Sequence, residues 1–397
     1  MAIMNDIQRV ITSLEARDEP CVMATVVHTE GSTYRRAGAR MVIFPDGSSH
    51  GAISGGCLES DVIESSTSVF DNGVPKLLRY DSLSDDDDPI FGLGMGCNGV
   101  TTVFLERLDG SDDTFCAFVR SCFDNRQSGV IATVYDIRQH DTDSSLTDEV
   151  SSLTSALEGY HFFLYANEEA SDNLGDSAFA EFVRETVWSA AIPLLSTTKP
   201  QQMVVDNETI SVSVLLEPVQ PLRELILWGA GYDAIPLVKV ASMMGWRTTV
   251  IDHRPALLTP ERFSTNVHTI RTTRDSIRET AQNLVSEQIH PNTAVVIMTH
   301  NLVLDAAILQ AVLPSKAGYI GLLGPKPRLE KLVKIMKDEG FSPPTAALER
   351  LHNPIGLDIG SETAEEVALS IIAEIQAAMN VRKGGFLKQR KQAKIHE

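Results

Sequence analysis

The first twenty residues set Ile7, Val10, Ile11 and Leu14 three and four positions apart, the spacing of one helical face. The pattern then changes. Met41–Phe44 and Gly51–Ser54 read as two strands around Pro45-Asp46-Gly47-Ser48, a strong turn signal. Gly55-Gly56 breaks that hairpin, and Cys57–Phe70 reads as a helix with Leu58, Val62 and Ile63 as its apolar positions. An acidic run, Asp85–Asp88, precedes a second glycine cluster, Gly92–Gly99, which opens the strand Val100–Leu105. Further on, Val130–Tyr135 and Phe162–Tyr165 read as strands and Phe179–Val187 as a helix. Gln201–Leu216 alternates like a hairpin around Asp206-Asn207, and the polar segment His140–Ser155 reads as an exposed connection.

Beyond Pro218 and Pro221 the texture becomes strand, helix, strand, helix. Strands are expected at Leu225–Trp228, Thr248–Asp252, Ala294–Thr299 and Tyr319–Leu322, and a long helix at Ala364–Met379, where Thr363 and Glu366 form a capping box. Such alternation implies a parallel sheet covered on both faces. The run Gly229-Ala-Gly231-Tyr-Asp-Ala234 follows the first of these strands and opens a helix. Gly229 allows the tight turn, Gly231 lets backbone approach a pyrophosphate, and Ala234 permits close helix–strand packing. The helix N-terminus offers N–H groups to the phosphate. Asp252 ends the second strand, where a carboxylate can accept both ribose hydroxyls. Asp252 favours NAD over NADP, and Arg254 beside it softens that preference. A turn that keeps its glycines only for packing is the alternative. His300 and Asp305 follow the strand Ala294–Thr299, near the carboxyl edge where such sheets hold ligands. His300 is a candidate proton shuttle or ligand contact, and equally a loop or capping histidine.

The fold class is therefore α/β. A C-terminal Rossmann-type parallel sheet with helices on both faces follows a mixed α/β N-terminal domain containing β-hairpins. The expected divisions are 1–108, a domain with two Gly-Cys loops; 109–220, a mixed α/β scaffold continuous with it; 221–380, the Rossmann-type dinucleotide-binding domain; and 381–397, a basic tail.

A formal net charge of −19 argues against nucleic-acid binding, because phosphates would be repelled over most of the surface. The tail from Arg382 to Lys394 is the exception, read as a solvated terminus, with a nucleic-acid or partner-binding arm as the alternative. No apolar run approaches the roughly 20 residues needed to cross a bilayer. The start lacks the order of a secretion signal, so a cytoplasmic address is expected. Homo-oligomerisation is expected only as the common default.

Five cysteines without a C-x-x-C pair do not make a disulfide framework or a zinc site. Two of them sit in suggestive loops. Cys57, in Ser54-Gly55-Gly56-Cys57, lies between a strand and a helix, where a dipole and unpaired N–H groups stabilise a thiolate. Cys97 follows Gly96 in a loop where backbone comes close to a ligand. Thiolates are soft metal ligands and sulfur carriers, so Cys57 and Cys97 are candidate metal contacts and, with His300, the candidate catalytic groups. Ser32, Thr33, Arg35, Arg36 and Arg40 add anion-binding capacity. A cysteine is also often a small buried hydrophobe, and Cys21, Cys116 and Cys122 read that way.

These residues resemble the XdhC/CoxI family, whose members serve molybdenum hydroxylases such as xanthine dehydrogenase. The resemblance rests on Glu30-Gly-Ser-Thr-Tyr-Arg-Arg-Ala-Gly-Ala-Arg-Met41, on Gly51-Ala-Ile-Ser-Gly-Gly-Cys-Leu-Glu59 and on the Cys97 loop. It continues through the Gly229 turn with Asp252-His-Arg-Pro255, Thr299-His300, Tyr319-Ile-Gly-Leu-Leu-Gly324 and Leu351–Thr363. It implies an accessory protein that binds molybdenum cofactor (molybdopterin), with Cys57 and Cys97 as the molybdenum contacts, protects it and helps deliver its sulfurated form. The partners implied are a xanthine dehydrogenase-type molybdenum hydroxylase apoenzyme and a cysteine desulfurase. The chain departs from the family pattern at Asn98, where glycine is expected, and at Tyr232-Asp233, where histidine-valine is usual. Proteins of this kind are sometimes labelled xanthine dehydrogenases. A hydroxylase with two plant-type iron–sulfur clusters needs about eight cysteine ligands, and this chain has five cysteines.

A carrier is thus the preferred reading, with the C-terminal domain binding NAD(P) as regulator or the nucleotide part of a dinucleotide form of the cofactor. The rivals are an NAD(P)-dependent oxidoreductase using His300, and a nucleotide-sensing interaction protein with inert cysteines.

Overall fold

The amphipathic start is a helix, Ala2–Arg17, and Ile7, Val10, Ile11 and Leu14 are all buried. In the computed structural model the described residues are 2–81, 99–110, 113–140, 159–167, 170–171, 178–206, 210–264 and 266–389. They divide into two units, Met1–Pro221 and Leu222–Glu397.

The first unit holds two antiparallel sheets. One has the order β3-β2-β1-β5-β4, from strands β1 (Cys21–Gly31), β2 (Arg40–Ile43), β3 (Ser49–Gly51), β4 (Lys76–Asp81) and β5 (Gly99–Leu108). The other has the order β8-β7-β6-β10-β9, from β6 (Gly129–Gln139), β7 (His161–Tyr165), β8 (Ala170–Ser171), β9 (Gln201–Asp206) and β10 (Ile210–Val219). The expected Gly51–Ser54 strand lies earlier, at Ser49–Gly51, because Ser54 is used to hold the next loop. The helix read from Cys57 begins at Glu59.

Strand β1 is buried over its first seven residues, on both faces. Val22, Ala24 and Val26 pack with Met41, Ile43, Val62, Val69 and Val103, under the helix Glu59–Asn72. After a register shift between Val26 and His28, Val27 joins Phe104 against Tyr135 and Leu215 of the second sheet. The two sheets thus stack, with the helix Ala178–Ala191 covering the far side of the second through Val183, Val187 and Ala191.

The layer between the sheets carries charge. Arg40 of β2 and Glu217 of β10 are both fully buried, and two bonds of 2.7 and 2.5 Å join guanidinium to carboxylate. Nearby, the His161 ring meets Glu106 at 2.7 Å and Thr133 at 3.1 Å. Burial by itself lowers the pKa of His161, but the charge and hydrogen bond of Glu106 outweigh it, and the net effect lies above the ordinary 6.5.

The second unit is a six-stranded parallel sheet of order β13-β12-β11-β14-β15-β16. Its strands are β11 (Glu224–Trp228), β12 (Arg247–Asp252), β13 (His268–Arg271), β14 (Thr293–Ile297), β15 (Tyr319–Leu322) and β16 (Leu351–His352). Helices Ala234–Met243 and Ala364–Met379 pack on one face, and Ile277–Glu287, Leu302–Val312 and Lys326–Asp338 on the other. This is the Rossmann architecture expected from the alternation. The capping box is present: Thr363 Oγ1 accepts from Glu366 N, and the Glu366 carboxylate accepts from Thr363 N. The order of strands reverses between β11 and β14, which makes their carboxyl ends the crevice of the fold.

Two outcomes follow from the charged layer. Arg40→Met strands a buried carboxylate and should cost about 3–5 kcal/mol in urea unfolding, whereas Arg40→Met with Glu217→Leu should recover most of it. Equal losses in the single and double variants would refute this. For His161 the raised folded pKa stabilises fully below pH 6.5, and the contribution is lost as pH climbs through the higher folded value. The stability difference between wild type and His161→Gln should therefore shrink above pH 6.5. A difference that stays constant from about pH 6 to about 9 would contradict it.

Candidate functional site

One hydroxyl organises the loop that carries Cys57. Ser54 Oγ accepts from the N–H groups of Gly56 (3.1 Å), Cys57 (3.2 Å) and Leu58 (3.1 Å). The same hydroxyl donates to the Glu59 carboxylate. Glu59 Oε1 in turn accepts from Ser54 N at 2.9 Å, and Oε2 from Leu58 N at 3.2 Å. Burial would raise the pKa of Glu59, but these donated bonds hold it below the ordinary 4.5. Ser54 and Glu59 therefore brace each other across the loop, and Gly56 supplies its left-handed turn at φ +107°.

Cys57 stands exposed on this loop, its thiol 3.6 Å from Ser54 Oγ. Its place before a helix predicts unpaired N–H groups facing the thiolate. Instead the N–H groups of residues 56–58 converge on Ser54 Oγ, so the helix entrance serves the loop's own shape. The Ser54–Glu59 separation is longer than the usual capping box, which is why spacing alone does not reveal the brace.

Neighbouring pieces meet this loop at one end of the first sheet. The ring of Tyr34 lies 3.5 Å from where a side chain on Gly55 would begin. Gly99, the first residue of β5, is pressed against the opposite loop. A Cβ there would fall 2.4 Å from Glu30 O, 2.9 Å from Thr33 Cγ2 and 3.0 Å from Ser32 O. Gly96 and Cys97 lie outside the described residues, as does the Asp85–Asp88 run.

The expected arginines separate into two kinds. Ser32 and Arg36 are exposed, and Thr33 donates to the Arg35 carbonyl at 2.8 Å. Arg35 is half-buried and paired with Asp6 of the first helix. Arg40 corrects the sequence reading outright, since it is fully buried and closed by Glu217. No ligand phosphate can reach a guanidinium that has no exposed atom.

In the second unit the fingerprint turn sits at the carboxyl edge. Gly229 has φ +112°, and a Cβ there would lie 2.4 Å from Met298 O, so the turn is pressed against the end of β14. Nothing lies within 4 Å of the point where a side chain on Gly231 would begin. Ala234 is buried where the helix meets the sheet. The N–H groups of Gly231, Tyr232 and Asp233 meet no acceptor among the described residues.

Asp252 does not present an open carboxylate. Oδ1 accepts from Arg254 N (2.8 Å) and Nε (2.9 Å), and Oδ2 from Ala230 N (2.7 Å) and Arg254 Nη2 (2.8 Å). Burial would raise its pKa, but the bonds from Arg254 and the backbone hold it below the ordinary 3.8. The fingerprint alone predicts Asp252 free for a ribose, with Arg254 only a neighbour. It gives no sign of Arg262, whose guanidinium donates to the carbonyls of Ala230, Gly231 and Leu257 at 2.8, 3.0 and 3.1 Å.

His300 is exposed at φ +58°, a left-handed conformation, just beyond β14. Asp305 is a brace: it accepts from Thr299 Oγ1 at 2.5 Å and from Arg328 at 2.6 Å. Among the described residues no group of three or more His, Cys, Asp or Glu side chains is arranged to hold a metal ion. No helix among them is long and apolar enough to cross a membrane.

The two units define a class: a stacked antiparallel unit presenting a braced cysteine loop, in one chain with a Rossmann unit. The chain belongs to the XdhC and CoxI family. Residues 14–81 match the XdhC and CoxI family, and residues 225–375 match the XdhC Rossmann domain. A protein from Bacillus subtilis (strain 168), named as a probable subunit of xanthine dehydrogenase, is 30% identical over 94% of this chain and 97% of its own. The molybdenum cofactor insertion chaperone PaoD from Escherichia coli (strain K12) is 21% identical over 89% of this chain and 82% of its own. A crystal structure described as a xanthine dehydrogenase from Bacillus halodurans superposes with a TM-score of 0.69. It is 28% identical and covers 95% of this chain and 96% of that one.

Thiol accessibility distinguishes Cys57 from the other described cysteines. Burial pushes the thiols of Cys21, Cys116 and Cys122 up to about 12. A Cys97→Ser chain treated with iodoacetamide at about pH 8, near the ordinary thiol range, should therefore take one label when native, at Cys57, and four when unfolded. Native labelling of Cys21, Cys116 or Cys122, read by peptide mass spectrometry, would show this packing to be wrong.

Proposed function

We propose that this protein is an accessory factor that carries molybdenum cofactor as cargo and assists its maturation and delivery to a xanthine dehydrogenase-type molybdenum hydroxylase. The observation that carries the proposal is the exposed Cys57 on a loop that Ser54 and Glu59 hold ready, in a member of this family. Kinship with an Escherichia coli protein named as a molybdenum cofactor insertion chaperone supports the same role. Five cysteines are too few for the two iron–sulfur clusters of a hydroxylase of this type, so the chain acts beside such an enzyme.

The residues of the first unit fit an anionic, sulfur-bearing cargo in part. Arg36 and Ser32 remain exposed to meet a phosphate, while Arg35 and Arg40 are already paired. Gly56, with nothing within 4 Å of where a side chain would begin, lets a bulky ligand approach backbone beside Cys57, while Tyr34 covers Gly55. The thiols of Cys57 and Cys97 supply soft sulfur ligands. A cysteine desulfurase is the sulfur donor in this reading. In the second unit the turn Gly229–Ala234 holds NAD(P) as a regulator, its open N–H groups at Gly231, Tyr232 and Asp233 meeting the pyrophosphate.

Protein purified from a host that makes the cofactor should contain molybdenum and pterin together. Cys57→Ser, Cys97→Ser and Arg36→Ala should each hold less than about a third of the wild-type content, while a variant at buried Cys122 should match the wild type. A third corresponds to less than about 1 kcal/mol, below the worth of one charge-assisted bond. Wild-type protein free of both, in a host whose own molybdoenzymes are active, would overturn the carrier reading. Equal cofactor in wild type and all three variants would overturn the placement of the cargo at Cys57, Cys97 and Arg36.

A further inference from the structure

We infer that the adenosine corner of the Rossmann unit is built for a dinucleotide phosphorylated on the ribose 2′-oxygen, with Arg254 as the residue that receives that phosphate. The inference rests on the reading that the Gly229 turn holds a dinucleotide, and it reverses the preference for NAD that Asp252 alone suggests.

In a Rossmann unit that selects NAD, the acid ending the second strand accepts the ribose hydroxyls. Here that acid is closed. Four N–H bonds, two on each oxygen, saturate Asp252. Three of them come from Arg254, and His253 Nδ1 stands 3.4 Å from Oδ1. A ribose hydroxyl can enter only by displacing a bidentate guanidinium–carboxylate pair, the strongest kind of side-chain hydrogen bond. A 2′-phosphate needs no such displacement. It adds to the outer side of Arg254, whose side chain is 44% exposed against 2% for Asp252. No acceptor among the described residues meets Arg254 Nη1.

The charge balance points the same way. Ala230 is the common node, its N–H on Asp252 and its carbonyl under Arg262. Arg262 bonds only to carbonyls and makes no ion pair among the described residues. The corner therefore holds two guanidinium groups, one paired with Asp252 and one on backbone carbonyls without a counter-charge among the described residues. Planar guanidinium groups match a phosphate's oxygens in geometry as well as charge. Asp233 in the turn weakens any pyrophosphate alike, so it cancels from a comparison of two dinucleotides.

The test is a fluorescence titration of the full chain with NADPH and with NADH. Wild type should bind NADPH about tenfold or more tightly than NADH, the worth of one charge-assisted bond. Arg254→Ala should erase that ratio by weakening NADPH, with NADH unchanged or tighter because Asp252 is released. Arg254→Lys, which keeps the charge, should retain part of it. Thermal melting checks that each variant is folded, and the wild-type ratio stands without any variant. NADH binding as well as NADPH, or Arg254→Ala weakening both equally, overturns the 2′-phosphate assignment alone. Binding of neither overturns the dinucleotide reading and this assignment together.

Discussion

A guanidinium with no exposed atom has to find its counter-charge inside the protein, and in the first unit Arg40 finds it in Glu217. The partners lie 177 residues apart, one on each of two stacked sheets. Desolvating both charges is expensive, and their attraction repays this only when geometry and hydrogen bonding are close to ideal. Two parallel bonds, with a 3.3 Å bond from Arg40 Nη1 to the Gly38 carbonyl, meet most of that condition, leaving Arg40 Nε without a partner among the described residues. They allow very little sliding of one sheet over the other. The apolar contacts of Val27, Phe104, Tyr135 and Leu215 tolerate small displacements, because dispersion is not directional. The ion pair therefore sets the register in which they pack. It also removes Arg40 from any surface function.

How much of this is visible in the chain depends on whether a feature is local. The capping box at Thr363 and Glu366 involves residues three apart and is legible at once. So is the parallel sheet, because alternating strands and helices leave few other arrangements. Strand β1 is not legible. Val22 to Val27 faces apolar neighbours on both sides, so it lacks the period-2 signal that marks a half-exposed strand. Strands β13 and β16, of four and two residues, are too short to carry a pattern. Among the site residues, Cys57 stands out by its glycines. The fates of Arg35, Arg40 and Asp252 depend on partners or rotamers that spacing does not encode. Arg35 meets Asp6, Arg40 meets Glu217, and Arg254 folds back on Asp252.

A shared principle links the two units. In each, a polar group that sequence would offer to a ligand is first used by the protein itself. The N–H groups near Cys57 converge on Ser54, and the Asp252 carboxylate is closed by Arg254 and Ala230. What remains available is a smaller and more selective set. At the first site it is a thiol, with Arg36 and Ser32 on the exposed surface. At the second it is the outer side of a guanidinium and three N–H groups of a turn.

The brace at Ser54 has a consequence for how anything could be taken up and given back at Cys57. A loop that orders only on binding loses conformational freedom at that moment, about 1–2 kcal/mol for each residue fixed. Here three N–H groups on one oxygen, and a carboxylate answering it, have already fixed the backbone. Binding then carries no ordering cost in the Ser54–Glu59 loop, and release wins no entropy from it. Affinity is left to the contacts themselves, and exchange need not wait for a segment to refold. Such a site suits a group that must be held and then surrendered.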